Sequence, residues 1–294
     1  MMARSLPFLP ALFACMLIST VHAYLPIVFM HGVNGSPHDF DGLRQYIAEH
    51  HPGTAMFALD VDAKEESLFK SMDAQVKDFV AALREVTSVN ITGPYHLVAH
   101  SQGTLVSRGG IEEMGDHRVQ KYITLAGPQQ GQYGIPPMVE NIVPGVTRDF
   151  AHDVFYNAIA QDCFSIAGYW NDPRYHDTYL KEVVFLPHYN NEVNTSDSAR
   201  YKENFLRIKE MVALGSDGDD IINPWFSSTL DFYTYEEDFT HIDMTQTIVY
   251  KEDLYGLQSL DKRGSLSRQM VAGLTHTDWL RKDEAFAAVL SYLD

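Results

Sequence analysis

Apolar runs and amphipathic stretches alternate along the first half of the chain. Runs of continuous apolar character, as expected of buried strands, occupy residues 26–30, 54–61, 95–100 and 121–127. Apolar residues at helical spacing occupy residues 38–50, 67–86 and 102–114. Because strands and helices alternate in this way, the pattern predicts an α/β fold, in which helices cover both faces of a mostly parallel central sheet.

The alternation stops after Pro128 and resumes near residue 210. Residues 129–209 are rich in Tyr, Asn and Pro, with helix-like pieces around 147–162 and 198–210. A segment of this length is too long for a simple loop in a compact domain. We therefore predict an inserted, largely helical cap, at about 129–209, within a single domain that spans residues 24–294. The elements predicted after it are strands at 211–216 and 266–273 and a terminal helix from about 282 to 293.

The N-terminus has the features of a secretory signal peptide. Arg4 precedes an apolar run over residues 6–18, and the compact residues Val21 and Ala23 stand where a signal peptidase cuts. The run is too short to span a membrane, and no later segment has about 18 uninterrupted apolar residues. We therefore predict removal of residues 1–23, a lysosomal or secreted destination, and no stable membrane insertion.

The net charge limits which partners the protein can bind, and the cysteine content limits which disulfides it can form. A formal net charge of −17 argues against nucleic acid and anionic membrane surfaces as partners. Loss of Cys15 with the signal peptide would leave Cys163 alone, so no intramolecular disulfide is predicted. Cys163 stands among apolar residues in "QDCFSIAGYW", which is typical of a packed and unreactive thiol.

Three N-glycosylation sequons begin at Asn34, Asn90 and Asn194. Asn90 and Asn194 fall between predicted elements and are predicted glycosylation sites. Asn34 lies in the loop after the first strand, "FMHGVNGS", which is a candidate part of an active site. We therefore do not expect a glycan there.

The segment "YHLVAHSQGTLV", residues 95–106, changes from a strand pattern to a helix pattern at Ser101. The pentapeptide "AHSQG" matches the G-x-S-x-G pattern, with Ala99 in its first position. In that pattern, very small residues on either side allow a sharp turn that presents a nucleophilic serine hydroxyl. The alternative is that Ser101 is only the N-cap of an ordinary helix. The apolar strand directly before it and the helix directly after it favour the nucleophile.

A nucleophilic serine needs a histidine base, and in α/β-hydrolases the chain order is serine, acid, histidine. His276, in "AGLTHTDW", follows the last predicted strand and is the candidate base, with His241 as second choice. His100 is adjacent to Ser101, but neighbouring side chains on a strand point to opposite faces. We therefore predict that His100 is a packed residue of the turn.

The acid is expected after the strand "MVALGS", where "DGDDIINPW" offers Asp217, Asp219 and Asp220. The spacing of an EF-hand calcium site is absent, and periodicity does not choose among the three. The oxyanion donors are predicted to be the backbone N–H groups of Gln102 and of Val33. The loop around Val33 lacks both nucleotide-binding patterns, G-x-G-x-x-G and the Walker lysine. No metal or cofactor is predicted.

Taken together, these segments resemble the palmitoyl-protein thioesterase family across most of the chain beyond residue 23. The matching stretches include "PIVFMHGVNGSPHDF", "HLVAHSQGTLVSRGGIEE", "ITLAGPQQGQYGIP", "GYWNDPRYHDTYL", "NFLRIKEMVALGSDGDDIINPWFSS" and "GLTHTDW". Residues 128–134, "PQQGQYG", are close to the family's P-Q-x-G-Q-Y-G and form the most specific match. Two features depart from the family pattern: Ala99 at the turn, and the absence of the family's usual disulfide cysteines.

The resemblance implies an α/β-hydrolase fold and selects the acid. In the family the acid precedes a proline by five residues, which makes Pro224 the marker for Asp219. The resemblance also supports Val33 and Gln102 as the oxyanion donors.

The activity that the resemblance implies is a serine thioesterase that hydrolyses long-chain fatty-acyl thioesters through an acyl-enzyme. The substrate would be an S-palmitoylated protein or peptide, or acyl-CoA. The acyl chain needs an apolar groove, and cap residues that are candidates to line it, or equally to form cap core, are Phe155, Ile159, Phe164, Ile166 and Trp170. The alternatives are a secreted lipase or carboxylesterase acting on oxyesters, and a non-catalytic binding protein on a hydrolase fold.

Overall fold

The computed structural model describes residues 24–293 and contains one six-stranded sheet. The predicted signal peptide, residues 1–23, lies outside the described residues. All neighbouring strands of the sheet are parallel, in the order β2-β1-β3-β4-β5-β8. A separate antiparallel pair is formed by β6 and β7. The strands are β1 Ile27–Met30, β2 Met56–Ala58, β3 Tyr95–His100, β4 Val119–Leu125, β5 Glu210–Gly215, β6 Phe232–Tyr233, β7 His241–Ile242 and β8 Leu266–Met270.

Thirteen α-helices connect and cover these strands within the described residues. They are α1 Asp41–His50, α2 Glu66–Phe69, α3 Met72–Val89, α4 Gln102–Glu113, α5 Pro137–Ile142, α6 Ala151–Phe155, α7 Ala158–Cys163, α8 His176–Glu182, α9 Leu186–Tyr189, α10 Ser198–Phe205, α11 Ile248–Lys251, α12 Leu257–Lys262 and α13 Asp283–Leu290. Short 3-10 helices lie at Pro37–Phe40, Ser165–Tyr169, Pro173–Tyr175, Trp225–Thr229, Met244–Gln246 and His276–Leu280.

Side chains that alternate along each strand divide the core into two layers. On β1, Ile27 and Phe29 face one layer with Phe286 of α13, while Val28 and Met30 face the other with Phe79 of α3. Continuous apolar strands of this kind need cover on both sides. The prediction of a parallel sheet with helices on both faces is therefore confirmed.

Two predicted elements differ from those in the structure. The strand predicted at 54–61 is reduced to β2, which pairs with β1 on one side and forms the sheet edge. The helix predicted over 67–86 is broken into α2 and α3, because Lys70 and Ser71 adopt extended backbone angles. The side chain of Gln75 donates hydrogen bonds to the carbonyls of Ser67 and Lys70, which stabilises this break.

The segment between β4 and β5, residues 126–209, forms short helices, of which the longest is α10 with 8 residues. Isolated helices this short are unstable in water, so burial of their side chains must stabilise them. The prediction of a packed Cys163 is wrong, because this residue is exposed. Helix α7 turns Ala160 and Gln161 inward and leaves Cys163 at its outer end.

The two predicted glycosylation sites, Asn90 and Asn194, are both exposed, as glycan attachment requires. Asn34 is exposed as well and lies in the loop after β1. Within residues 24–293, no helix has both the length and the apolar character needed to cross a membrane.

A cluster of buried charged groups joins α4 to the segment after α9. Arg108 and Glu112 lie one turn apart on α4 and are fully buried, with 3.7 Å between Arg108 Nε and Glu112 Oε1. Arg108 Nη2 donates to Asn190 Oδ1 at 2.8 Å, and Asn190 Nδ2 donates to Glu192 Oε2 at 2.9 Å. Glu112 thus lies beside the guanidinium, while Glu192 is connected to it through the Asn190 amide.

Burial shifts the proton affinity of both carboxyl groups. It raises the pKa of Glu112 to about 8, with a smaller upward contribution from Glu113 and a partial offset from Arg108. Burial likewise raises the pKa of Glu192 to about 7. Because each folded-state pKa lies above its unfolded value, the stabilisation is complete below the unfolded pKa and is lost as pH rises through the folded pKa.

We expect Glu112→Gln to reduce the pH dependence of stability. Between about pH 6 and pH 8.5, the wild-type protein should lose about 2–3 kcal/mol more unfolding free energy than the variant, because Glu112 must ionise in a buried site. Urea unfolding at the two pH values measures this difference. Glu85→Gln, which changes an exposed carboxylate on α3, is the control and should follow the wild type. Equal pH dependence in the wild type and in Glu112→Gln would contradict the prediction.

Candidate active site

Ser101 occupies a sharp turn between β3 and α4. Its backbone has φ 55° and ψ −134°, a conformation that non-glycine residues rarely adopt. The turn needs small neighbours: a Cβ on Gly103 would lie 2.1 Å from the carbonyl oxygen of His31, and one on Gly32 would lie 2.7 Å from Ser101 Cβ. Ala99 is fully buried, so its methyl group is accommodated in the first position of the pattern. Ser101 makes no side-chain capping bond to α4, which removes the N-cap alternative.

The Ser101 hydroxyl is directed at His276. His276 Nε2 lies 2.9 Å from Ser101 Oγ across a separation of 175 residues. His276 begins the 3-10 helix that follows β8, and its backbone N–H donates to Asp220 Oδ1 at 3.0 Å. Its carbonyl oxygen accepts a hydrogen bond from His100 Nε2 at 3.1 Å. Contacts on both sides therefore hold the backbone of His276 in place.

Asp219 is the acidic residue that reaches the His276 ring. Its two carboxylate oxygens lie 3.1 and 3.0 Å from His276 Nδ1, and its side chain has no exposed surface. The backbone N–H groups of Ile221 and Ile222 donate to Asp219 Oδ1 at 2.9 and 2.8 Å, which fixes the carboxylate. A proton on Nδ1 can then be shared with Asp219, leaving the Nε2 lone pair to accept the Ser101 proton.

The other two acids have different partners. Asp217 Oδ1 accepts from the Gly273 N–H at 2.8 Å, and Asp220 Oδ1 accepts from the His276 N–H. Both orient the loop that carries His276, while neither is hydrogen-bonded to its ring. The geometry therefore distinguishes three acids that periodicity left equivalent.

The remaining histidines near the motif take structural positions. The His100 ring is 4.7 Å from the His276 ring, and burial holds the pKa of His100 well below its usual range. A neutral His100 can donate to the His276 carbonyl without placing a second charge beside the base. His241, the second-choice base, lies instead 3.0 Å from Asp231 and stacks on Phe226.

The two predicted oxyanion donors belong to the segments on either side of Ser101. Gln102 begins α4, and Val33 lies in the loop after β1. Neither backbone N–H has an acceptor among the described residues. Val33, Ser101 and His276 line one cavity of about 620 Å³, whose other lining residues include Asn34, Leu280 and Arg281. A reacting carbonyl placed there would lie beside the serine hydroxyl.

The five candidate groove residues do not line this cavity. Phe155, Ile166 and Trp170 are buried in the hydrophobic core, where the Phe155 and Trp170 rings pack at 5.1 Å. Phe164 packs against Phe69, and Ile159 is 76% exposed. Apolar composition alone did not separate cap core from a surface that faces Ser101. Phe155, Ile166 and Trp170 thus form cap core, the other expectation for these residues, while Phe164 is partly buried and Ile159 is exposed.

Sequence reasoning missed three polar residues that support the turn: Ser67, Gln75 and Tyr169. Gln75 lies on the apolar face of α3, between Met72 and Phe79, and is fully buried. A glutamine within an apolar stripe was the signal that could have identified this group, because buried amides require hydrogen-bond partners. Within residues 24–293, no group of three or more His, Cys, Asp or Glu side chains is arranged to bind a metal.

A parallel sheet with helices on both faces, and a serine in a strained strand-to-helix turn, define the molecule as an α/β-hydrolase. Aspergillus fumigatus lipase B shares the fold with a TM-score of 0.54 and 10% identity, over 92% of this chain and 52% of that chain. The mature lipase BlEst2 of Bacillus licheniformis has a TM-score of 0.50 and 16% identity, over 92% and 93%.

The chain belongs to the palmitoyl protein thioesterase family, whose model matches residues 26–276. It is 34% identical to the lysosomal thioesterase PPT2-B of Xenopus laevis, over 94% of each chain. It is 36% identical to the human lysosomal thioesterase PPT2, over 93% of this chain and 89% of that protein. The lysosomal thioesterase PPT2 homolog of Drosophila melanogaster is 33% identical over the full length of both. The protein is accordingly a hydrolase of the thioesterase class.

Proposed function

We propose that this protein is a serine thioesterase that hydrolyses long-chain fatty-acyl thioesters through an acyl-enzyme. Ser101 is the nucleophile, His276 the general base and acid, and Asp219 the residue that orients His276. The observation that carries the proposal is the continuous chain from Ser101 Oγ through the His276 ring to Asp219, at 2.9 and 3.0 Å. Membership of the thioesterase family supports the choice of a thioester as substrate.

Acylation begins when His276 Nε2 accepts the Ser101 proton and Oγ attacks the thioester carbonyl carbon. The carbonyl oxygen becomes an oxyanion, which the backbone N–H groups of Val33 and Gln102 stabilise. The C–S bond then breaks, and the thiol leaves with the proton that His276 holds. In the second half, His276 takes a proton from water as the water oxygen attacks the acyl-enzyme. The fatty acid leaves and Ser101 recovers its proton.

The leaving group separates a thioesterase from a lipase or carboxylesterase. A thiol has a pKa of about 8.5, so it departs with little assistance from an acid, whereas an alkoxide must be protonated as it leaves. Both substrate classes form the same acyl-enzyme when their acyl chains match. The ratio of kcat/KM values for the two therefore reports substrate binding and acylation, and deacylation does not contribute to it.

We expect kcat/KM for a palmitoyl thioester to exceed that for the matched palmitoyl oxyester by at least about tenfold, which is about 1.4 kcal/mol of activation free energy. Hydrolysis is measured with both esters under the same micellar conditions, and the Ser101→Ala variant provides the background rate. A preference for the oxyester would assign the protein to the lipases or carboxylesterases. Hydrolysis of neither ester by the folded protein would favour a binding protein.

The same relatives support a proposal for the cellular setting. Proteins named as lysosomal thioesterases cover most of this chain, and we propose a lysosomal location reached through the secretory pathway. The exposed residues Asn90 and Asn194 would carry glycans on that route. Residues 129–209 are proposed to act as the cap.

A further inference from the structure

The two proposed oxyanion donors lie on separate segments of the chain, 69 residues apart, at Val33 and Gln102. An oxyanion hole works only when both N–H groups point at the same oxygen, at about 2.7–3.1 Å. A third element must therefore hold the loop after β1 against the start of α4. Ser67, on the four-residue helix α2, contacts both segments.

The Ser67 hydroxyl holds the loop that carries Val33. Ser67 Oγ accepts a hydrogen bond from the backbone N–H of Asn34 at 2.7 Å, and donates to the carbonyl of Lys64 at 2.6 Å. The N–H of Lys64 in turn donates to the carbonyl of Gly35 at 2.8 Å. Two of the three loop residues from Val33 to Gly35 are thus tied to the turn that begins α2. Asn34 has φ 56°, so this loop is held in a conformation that needs such support.

The Ser67 carbonyl oxygen holds the residue that follows the nucleophile. It accepts from Gln102 Nε2 at 2.8 Å and from Gln75 Nε2 at 2.9 Å. Gln102 Nε2 also donates to Gln75 Oε1 at 3.0 Å, and Gln102 Oε1 accepts from the hydroxyl of Tyr169 at 3.0 Å. The side chain of Gln102 is therefore fixed at both ends, while its backbone N–H stays unpaired.

The side of the arrangement formed by Ser67, Gln75, Gln102 and Tyr169 is shielded from water. Gln75, Gln102 and Ser67 are 0–1% exposed, and Tyr169 is 4% exposed. In such a site each hydrogen bond resists displacement, because a broken partner cannot be replaced by solvent. The Ser67 hydroxyl is the one link to the Asn34 N–H. Its removal would break the hydrogen bond that ties the Asn34 N–H to α2 and would release the loop that carries Val33.

We propose that Ser67 is a positioning residue, whose hydroxyl and carbonyl together fix the two oxyanion-hole N–H groups relative to each other. This inference rests on the proposed function, in which Val33 and Gln102 are the donors. Tyr169 belongs to the segment between β4 and β5, and its hydroxyl donates to the side chain of Gln102. The packing of that segment therefore affects the position of Gln102 in the oxyanion hole.

The test compares Ser67→Ala with the wild type on the palmitoyl thioester. We expect kcat to fall about 10- to 100-fold with KM within about twofold, because the variant misplaces a donor that acts chiefly in the transition state. Affinity for a long-chain trifluoromethyl ketone should fall by the same factor. Ser101 Oγ adds to that ketone carbonyl, the proton passes to His276, and the resulting oxyanion occupies the hole. Affinity for a thioether of equal length, which lacks a carbonyl, should not change.

Thr247→Val is the matched control. The Thr247 hydroxyl is also buried, donates to the Met244 carbonyl at 2.7 Å and accepts from the Tyr250 N–H at 3.4 Å. Its loss should lower the melting temperature as Ser67→Ala does, while kcat stays at the wild-type value. This comparison separates positioning from general loss of stability.

A second variant keeps the inference testable if Ser67→Ala does not fold. Tyr169→Phe removes one hydroxyl from the network and should give a smaller loss with the same signature, in kcat and ketone affinity but not thioether affinity. Unchanged kcat in folded Ser67→Ala, or equal losses for ketone and thioether, would overturn the inference. If the wild type cleaves only oxyesters, the proposed substrate is wrong, yet the same comparison on an oxyester still tests Ser67.

Discussion

Replacing Ser101 with alanine is expected to lower kcat for the palmitoyl thioester by about 10⁴- to 10⁶-fold, because the variant lacks the hydroxyl that is proposed to form the acyl-enzyme. The same change should abolish covalent labelling by a serine-directed fluorophosphonate. Ser101 is 4% exposed. The substitution removes only one small hydroxyl group from this position, so the protein should stay folded. The residual rate would come from the oxyanion donors and substrate binding.

Ser228→Ala is a matched control for this experiment. Ser228 is fully buried, like Ser101, and its Oγ has no hydrogen-bond partner among the described residues. The control should keep the wild-type rate and the fluorophosphonate label. Labelling that persists in Ser101→Ala would show that a different serine is the nucleophile and would contradict the site.

The second large effect is expected for Asp219→Asn, which should lower kcat by about 10⁴-fold while the fold is retained. The asparagine oxygen can still accept from the N–H groups of Ile221 and Ile222, so its amide nitrogen would face His276 Nδ1. His276 would then carry its proton on Nε2 and could not accept the proton of Ser101. The loss therefore arises from the wrong tautomer, not from disorder.

The neighbouring acids provide controls on the same loop. Asp217→Asn should stay close to the wild-type rate, since Asp217 contacts the N–H of Gly273 and not the His276 ring. Asp220→Asn should show an intermediate loss, because its carboxylate accepts from the backbone N–H of His276. Rates of thioester hydrolysis and fluorophosphonate labelling measure all three. A large loss in Asp217→Asn with an active Asp219→Asn would reassign the acid.

The central sheet could be predicted because the apolar patterns that specify its strands and helices lie within short stretches of the sequence. Strand β1 is apolar at all four positions and β4 is buried at five of its seven positions, and the long helix α3 shows a periodic apolar face. The turn at Ser101 was predictable for a similar reason, since small residues beside it reflect a steric demand within a few residues of chain. The prediction for Cys163 failed because its burial depends on distant segments, and for the same reason the sequence left open whether the candidate groove residues form a groove or cap core.

The sequence by itself determined the α/β architecture, the serine turn, and the order of serine, acid and histidine. Periodicity left Asp217, Asp219 and Asp220 open and the family resemblance favoured Asp219, while the tertiary structure gives each a different partner, with only Asp219 at the His276 ring. Only the tertiary structure places Ser67 between Asn34 and Gln102, where it is hydrogen-bonded to both. The physical reason is the separation along the chain over which each signal acts. Periodicity and steric patterns act between residues that are close in sequence. Hydrogen bonds at the site join residues up to 176 positions apart, and their geometry exists only once the sheet has assembled.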